Sequence, residues 1–165
     1  MKRLAPLFAL ALAGCGLHPL YSGGSSGVVA TTLTRIEVAP IAGKTGWLMT
    51  NALNDRLAAG GAAPLYRLEV KLDDRIIGLG ARRDDSVSRE RRTLRARFQL
   101  IELAHGSVLL DATAGSDAGI DVVNSEYATI AAENTALERL SGIVADQIVS
   151  RVALYAQRTA AAPAN

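Results

Sequence analysis

Two stretches of strict alternation constrain the fold of this chain more than any other feature. From Leu65 the period is two: Tyr66, Leu68, Val70 and Leu72 fall on one side, and Arg67, Glu69, Lys71 and Asp73 on the other. A second run sets Leu94, Ala96, Phe98 and Leu100 against Thr93, Arg95, Arg97 and Gln99. Successive side chains of a strand point to opposite faces, so this pattern specifies strands and not helices. Ala104-His105-Gly106-Ser107 reads as a turn into a third strand, with Val108, Leu110, Ala112 and Ala114 inward. Each strand then has one oily and one wet face, as in a sheet covered on one side only.

The flanks supply the cover. Residues 33–38 read as a short strand with Ile36 and Val38 on one face, ended by Pro40. Thr45 is the expected N-cap of a helix to about Ala59, with Leu48, Met49, Ala52, Leu53 and Leu57 on its apolar face. Gly60-Gly61 would stop it. A long helix is expected from about Ser125 to Tyr155, with Asn124 as its N-cap. Ile130, Leu137, Leu140, Val144, Ile148, Val152 and Tyr155 recur there at helical spacing. The expected fold is α+β: a four-stranded mixed sheet with two helices packed on one face, in the order β-α-β-β-β-α.

Ahead of this domain stands a leader. Lys2 and Arg3 precede an apolar run of nine residues, Leu4 to Leu12, followed by the small residues Ala13 and Gly14 and by Cys15, the one cysteine of the chain. A helix needs roughly 20 apolar residues to span a bilayer, so the run reads as a cleavable secretory signal. Leu12-Ala13-Gly14-Cys15 resembles the bacterial lipobox, in which the thiol is diacylglycerylated, the leader removed and the new amino terminus acylated. Two or three acyl chains anchor firmly, at about 0.8 kcal/mol per buried methylene. The plainer alternative is an ordinary signal peptide with a chance cysteine. With Cys15 acylated no disulfide can form, and the fold rests on packing. The expected divisions are 1–14 signal peptide, 15–32 lipidated cysteine and Gly/Ser tether, 33–158 one globular domain, and 159–165 a disordered tail.

Removing the leader also settles the charge. The chain has 18 Lys+Arg and 16 Asp+Glu, a net +2. Lys2 and Arg3 carry that whole excess, so the mature chain is formally neutral and shows no overall bias toward nucleic acid.

Motifs of chemistry fail on context. Gly23-Gly24-Ser25-Ser26-Gly27 matches G-x-S-x-G, but a nucleophile elbow needs a strand before and a helix after, and here the match lies in a Gly/Ser tether. The histidines are His18, near the anchor, and His105, in a turn. Gly43-Lys44-Thr45 has the end of a P-loop, but Val38 stands where its first glycine is required. Gly78-Leu79-Gly80 lacks the third glycine and the helix of a dinucleotide site. No spaced ligand cluster suggests a metal, and Asp84-Asp85 is flanked by arginines. The expectation is a protein that is not an enzyme and has no cofactor.

One stretch is chemically unusual. Between Arg82 and Arg97 lie seven arginines (Arg82, Arg83, Arg89, Arg91, Arg92, Arg95, Arg97), no lysine, and three acids, Asp84, Asp85 and Glu90. The guanidinium fork binds phosphate or carboxylate bidentately, which lysine cannot copy. Two readings stay open: a solvated strand face, or a site for an anionic ligand or partner. On the second, Arg95 and Arg97 are the leading residues, followed by Arg92, Arg91 and Arg89. No aromatic platforms stand nearby, which argues against single-stranded nucleic acid.

Cys15-Gly16-Leu17-His18-Pro19-Leu20-Tyr21 resembles the Gly-Cys-Gly-Phe/Leu-x-Pro-Leu-Tyr opening of the LPS-assembly lipoprotein LptE family, in its α-proteobacterial type. The similarity continues through Ile36-Glu37-Val38-Ala39-Pro40-Ile41, Asn51-Ala52-Leu53-Asn54-Asp55-Arg56-Leu57, Tyr66-Arg67-Leu68-Glu69-Val70 and Ala96-Arg97-Phe98-Gln99-Leu100. It extends to Ser125-Glu126-Tyr127-Ala128 and Arg151-Val152-Ala153-Leu154-Tyr155. Gly43-Lys44-Thr45-Gly46 departs from the family, whose members often carry an arginine-containing segment there. The resemblance implies two helices on a four-stranded sheet and an outer-membrane lipoprotein on the periplasmic side. It implies a place inside the lumen of the LPS-assembly β-barrel LptD as plug and assembly factor, with lipopolysaccharide bound on its way to the outer leaflet. Gly16 after the cysteine agrees with outer-membrane sorting. The alternative is an accessory lipoprotein of another envelope lipid-transport complex.

Overall fold

The alternating runs prove to be parts of strands twice their length. The computed structural model describes residues 27–57, 63–81, 87–123 and 125–161. In chain order the elements are α1 (Val28–Leu33), β1 (Ile36–Val38), α2 (Gly43–Leu57), β2 (Tyr66–Ala81), β3 (Val87–Glu102), β4 (Val108–Asp121) and α3 (Glu126–Ala161). The sheet order is β1-β2-β3-β4, with β1 parallel to β2 and the other neighbours antiparallel. This is the expected mixed sheet, with one short helix in front of it.

Length matching explains the architecture. A 16-residue strand such as β2 or β3 is about 53 Å long at ~3.3 Å per residue. The 36 residues of α3 extend about 54 Å at 1.5 Å each, so one helix can line the whole sheet. Its face is built for close approach: Ala136, Ala145, Ala153 and Ala156 are buried together with Leu137, Leu140, Val144, Ile148 and Val152. Below them lie Leu68, Leu94, Ala96, Phe98 and Leu100 of the sheet, and Met49, Leu53 and Leu57 of α2 complete the core. No described helix is long and apolar enough to cross a membrane.

Helix α2 is tied to α3 near both of its own ends. Lys44 Nζ donates to Asn134 Oδ1 at 2.6 Å, and Arg56 donates to both carboxylate oxygens of Asp146 at 2.5 and 3.1 Å. Both ties join residues 90 apart in sequence, so α2 and α3 run parallel and in register.

Several expectations need correction. The tether was expected to reach residue 32, but Val28–Leu33 is helical and buries Val29 and Leu33 in the core. Thr45 is not a cap: it lies inside the first turn of α2 and its hydroxyl donates to Asp74 Oδ2 at 3.0 Å. Ser125 caps α3, accepting from the Ala128 N–H at 3.3 Å. Asn124 and Gly60-Gly61 lie outside the described residues. The long helix continues through Ala161, so the tail expected from 159 is helical at its start. At the amino-terminal end of α3 the buried residue is Thr129, while Ile130 is 47% exposed. Val108 also faces out, because the register shifts between Leu100 and Ile101 and pairs Val108 with Ile101 on the open face.

Candidate anion-binding site

The face of the sheet away from the helices is a ladder of charged rows. Strand register places Lys71 beside Arg97 and Thr113, Asp73 beside Arg95 and Gly115, and Arg75 beside Thr93 and Asp117. Further along, Ile77 adjoins Arg91 and Gly119, and Leu79 adjoins Arg89 and Asp121. Opposite charges are interleaved, so much of the basic character is cancelled locally. Arg67 pairs with Glu37 at 2.8 Å, Arg75 with Asp73 at 2.9 Å and Arg89 with Asp121 at 3.0 Å. Exposed pairs of this kind contribute about 0–1 kcal/mol each, and their main effect is to neutralise the face.

Arg97 is held most firmly of these. Its Nε and Nη2 donate to the two oxygens of Asp111 at 3.1 and 2.8 Å, and Gln99 Nε2 donates to the same carboxylate at 2.7 Å. The Arg97 and Gln99 hydrogen bonds hold the Asp111 carboxyl down at about 2.

Where the pairing stops, a cleft opens. It has a volume of about 520 Å³ and is walled by Lys71, Asp73, Arg95, Arg97 and Thr113, with Gln147 and Arg151 at its rim. Gly115 forms its floor, since the row beside Arg95 has no side chain on β4. A Cβ there would meet the Leu94 carbonyl oxygen at 3.2 Å and Arg95 Cγ at 3.3 Å. The Gly115 N–H donates to Gln147 Oε1 at 3.1 Å, and Gln147 Nε2 donates back to the Gly115 carbonyl at 3.3 Å. This amide pair fastens α3 to the open edge of β4 and brings Arg151, one turn further, over the rim. Among the described residues nothing pairs with Lys71, Arg95 or Arg151. Asp73 is engaged with Arg75, so three free cations face one polar cleft.

Arg92 has a different place. It lies on the covered face in a row with Ile76 and Ala118, under the amino-terminal half of α3. Its Nε and Nη2 donate to Asp74 at 2.9 and 2.6 Å, and Nη1 donates to the Glu133 carbonyl at 2.9 Å. Both side chains of the pair are largely enclosed, 11% and 18% exposed. The Arg92 fork is therefore filled, and with Thr45 it holds the Asp74 carboxyl below the usual carboxylate range. Beside it, burial and the neighbouring Glu133 hold the Glu90 carboxyl above its usual range.

Of the five arginines expected at an anionic site, Arg95 alone lines the cleft uncommitted. Arg97 lines it but is bound to Asp111, Arg89 is bound to Asp121, Arg91 is exposed further along, and Arg92 is on the other face. Lys71, Gln147 and Arg151 were not expected there. Lys71 had a sequence signal, its place on the wet side of the first alternating run; nothing in sequence placed Arg151 beside Arg95. Cys15, with Arg82 and Arg83, lies outside the described residues.

The comparisons with known proteins fit this architecture. The LptE lipopolysaccharide-assembly family model matches residues 33–152. A Caulobacter crescentus CB15 lipoprotein has a similar structure at a TM-score of 0.69, with 22% identity, covering 81% of this chain and 98% of its own. A minor lipoprotein of Acinetobacter baumannii follows at 0.56, with 16% identity and coverage of 72% and 88%. Rare lipoprotein B of Shewanella oneidensis gives 0.57, with 11% identity and coverage of 76% and 96%. At these identities the likeness concerns the fold. No curated protein matches the chain.

Proposed function

This chain belongs to the LptE lipopolysaccharide-assembly family, and on that premise we propose that it is an outer-membrane lipoprotein that binds lipopolysaccharide and works within the LptD barrel. The anchor is Cys15, its thiol diacylglycerylated before the leader is removed and its new amino terminus acylated afterwards. The role is binding and assembly; it is not an enzyme. A porin-sized barrel has a polar lumen, and a plug for it needs a polar outer surface. The ladder of paired charges on the open sheet face has that character, with Ile77 and Val108 as exposed apolar exceptions.

The observation that carries the binding part is the convergence of unpaired Lys71, Arg95 and Arg151 on the cleft floored by Gly115. Lipid A presents phosphates, and a guanidinium fork grips a phosphate by paired hydrogen bonds. A hydrogen bond to a charged group contributes about 1.5–3 kcal/mol, and 1.4 kcal/mol is about tenfold in affinity. The cleft is open to water, so losing one arginine should cost about tenfold.

The test uses the purified lipoprotein and lipopolysaccharide, with monophosphoryl and dephosphorylated forms as controls. Arg95→Ala and Arg151→Ala should each weaken binding about tenfold without changing the melting temperature, and removing the ligand phosphate should erase the difference. Undiminished binding by the double variant would refute this site. Copurification in mild detergent tests the partner: an outer-membrane barrel is expected. An inner-membrane transporter in its place would favour an accessory lipoprotein of another lipid-transport complex.

A further inference from the structure

A second groove lies at the end of the fold where the chain enters it. It measures about 380 Å³ and runs between α1 and the last turns of α3, over the ends of the strands. Val28, Tyr66, Leu100, Leu109, Tyr155 and Ala160 line it, and Val28 is 55% exposed. Among the described residues its one charged lining residue, Glu102, is turned to the adjacent turn, where His105 Nδ1 lies at 2.9 Å and the Ser107 hydroxyl donates at 3.2 Å. The groove is therefore lined mainly by apolar side chains, with Thr32 and Thr159 beside them, and it lies next to the first described residue, Gly27.

We propose that this groove is filled by the chain's own Leu17-His18-Pro19-Leu20-Tyr21 segment. The segment carries an apolar payload, and no Asp, Glu, Lys or Arg occurs between Leu4 and Thr34, so it brings no charge of its own into the groove. Six residues, Ser22 to Gly27, separate it from Val28 and can span at most about 20 Å, enough to turn back along α1. Gly27 is itself held at the helix start, its carbonyl accepting from the Thr31 N–H at 2.9 Å and the Thr31 hydroxyl at 3.0 Å. A short linker gives an effective concentration in the millimolar range. A segment attached beside the groove therefore fills it with an affinity far below what a separate partner would need. Pro19 restricts the unbound segment and lowers the entropy lost on docking.

Docking has a geometric consequence. It fixes Cys15 two residues from the groove, so the anchor leaves from this end and the β2–β3 hairpin points away from the bilayer. This consequence rests on the reading of Cys15 above; the docking does not.

Disulfide trapping in the full-length lipoprotein tests it. Leu20→Cys is combined with Ala160→Cys at the groove, or with Asp117→Cys on the exposed middle of β4 as control, and closure is followed on non-reducing gels. The groove pair should close at least tenfold faster than the control; equal rates overturn the proposal. Independently of engineered thiols, Leu17→Ser with Leu20→Ser should lower the melting temperature by several degrees, and an unchanged melt also overturns it. Mass analysis of Cys15 in the same samples separates the two readings: rapid closure beside an unmodified Cys15 supports docking while removing the anchor.

Discussion

Arg92→Met should destabilise this fold more than the loss of any arginine on the open face. The residue gives two hydrogen bonds to Asp74 and one to the Glu133 carbonyl, and its side chain is 11% exposed. Removing one member of a fully buried pair costs about 3–5 kcal/mol, because the other is left charged and unpaired. An exposed pair contributes about 0–1 kcal/mol. Asp74 is 18% exposed and retains its bond from Thr45, so the expected loss falls between, at about 2–3 kcal/mol. For a domain of this size that is about 5–12 °C in melting temperature, read by calorimetry or circular dichroism. The effect is linked to pH. The folded-state pKa of Asp74 lies below its ordinary value, chiefly through Arg92. Its contribution is therefore full above the unfolded pKa, about 3.9, and is lost as pH falls through the folded value. The gap between wild type and Arg92→Met should accordingly narrow below about pH 4. Replacing both residues by leucine should cost less than either single change. A melting temperature within a degree of wild type for Arg92→Met, or additive losses in the double-mutant cycle, would refute the reasoning.

Other outcomes follow from the same structure. Cys15→Ser should leave an unprocessed precursor or a protein free of the membrane, and mass spectrometry of wild type should find acyl groups on an amino-terminal Cys15. Leu140→Ala, at a fully buried position in α3, should cost about 2–5 kcal/mol in a urea melt. Gly115→Val should close the cleft beside Arg95 and reduce lipopolysaccharide binding, because even a Cβ lies 3.3 Å from Arg95 Cγ; calorimetric titration reads the loss.

Most of the fold was legible because burial on one face writes a period into the sequence. Leu68, Val70, Leu94, Ala96, Phe98 and Leu100 are buried as their alternation required. The strand extensions through Ile76-Ile77-Gly78 and Arg89 to Arg92 were not legible, since there the covered face carries Arg92 and Glu90 and the open face carries Ile77. Polar inside and apolar outside cancels the signal on which the period depends. Helix α1 was hidden for a related reason: six residues are too few to show a helical period, and Val29 and Leu33 alone make its contact. Thr45 looked like a cap because capping residues and ordinary hydrogen-bonding residues share one chemistry. Thr45 reaches Asp74 across 29 residues, which no local pattern encodes.

The arginine stretch shows where composition stops being informative. Charge density is a property of the chain, but free charge is a property of the fold, set by which acids the register places alongside. The acids that neutralise Arg89 and Arg97, Asp121 and Asp111, come from β4, and the one that neutralises Arg92 comes from β2. Arg95 remains free for a specific reason. Its neighbour on one side is Gly115 and its neighbour on the other, Asp73, is drawn off by Arg75. The same glycine that withholds an acid also leaves space for a ligand, while its main-chain N–H and C=O, which any residue but proline offers, hold Gln147 and so carry Arg151 to the rim. One missing side chain on an edge strand thus leaves the cation and the cavity together, the edge backbone brings the second cation to them, and none of the three can be read from the arginines themselves.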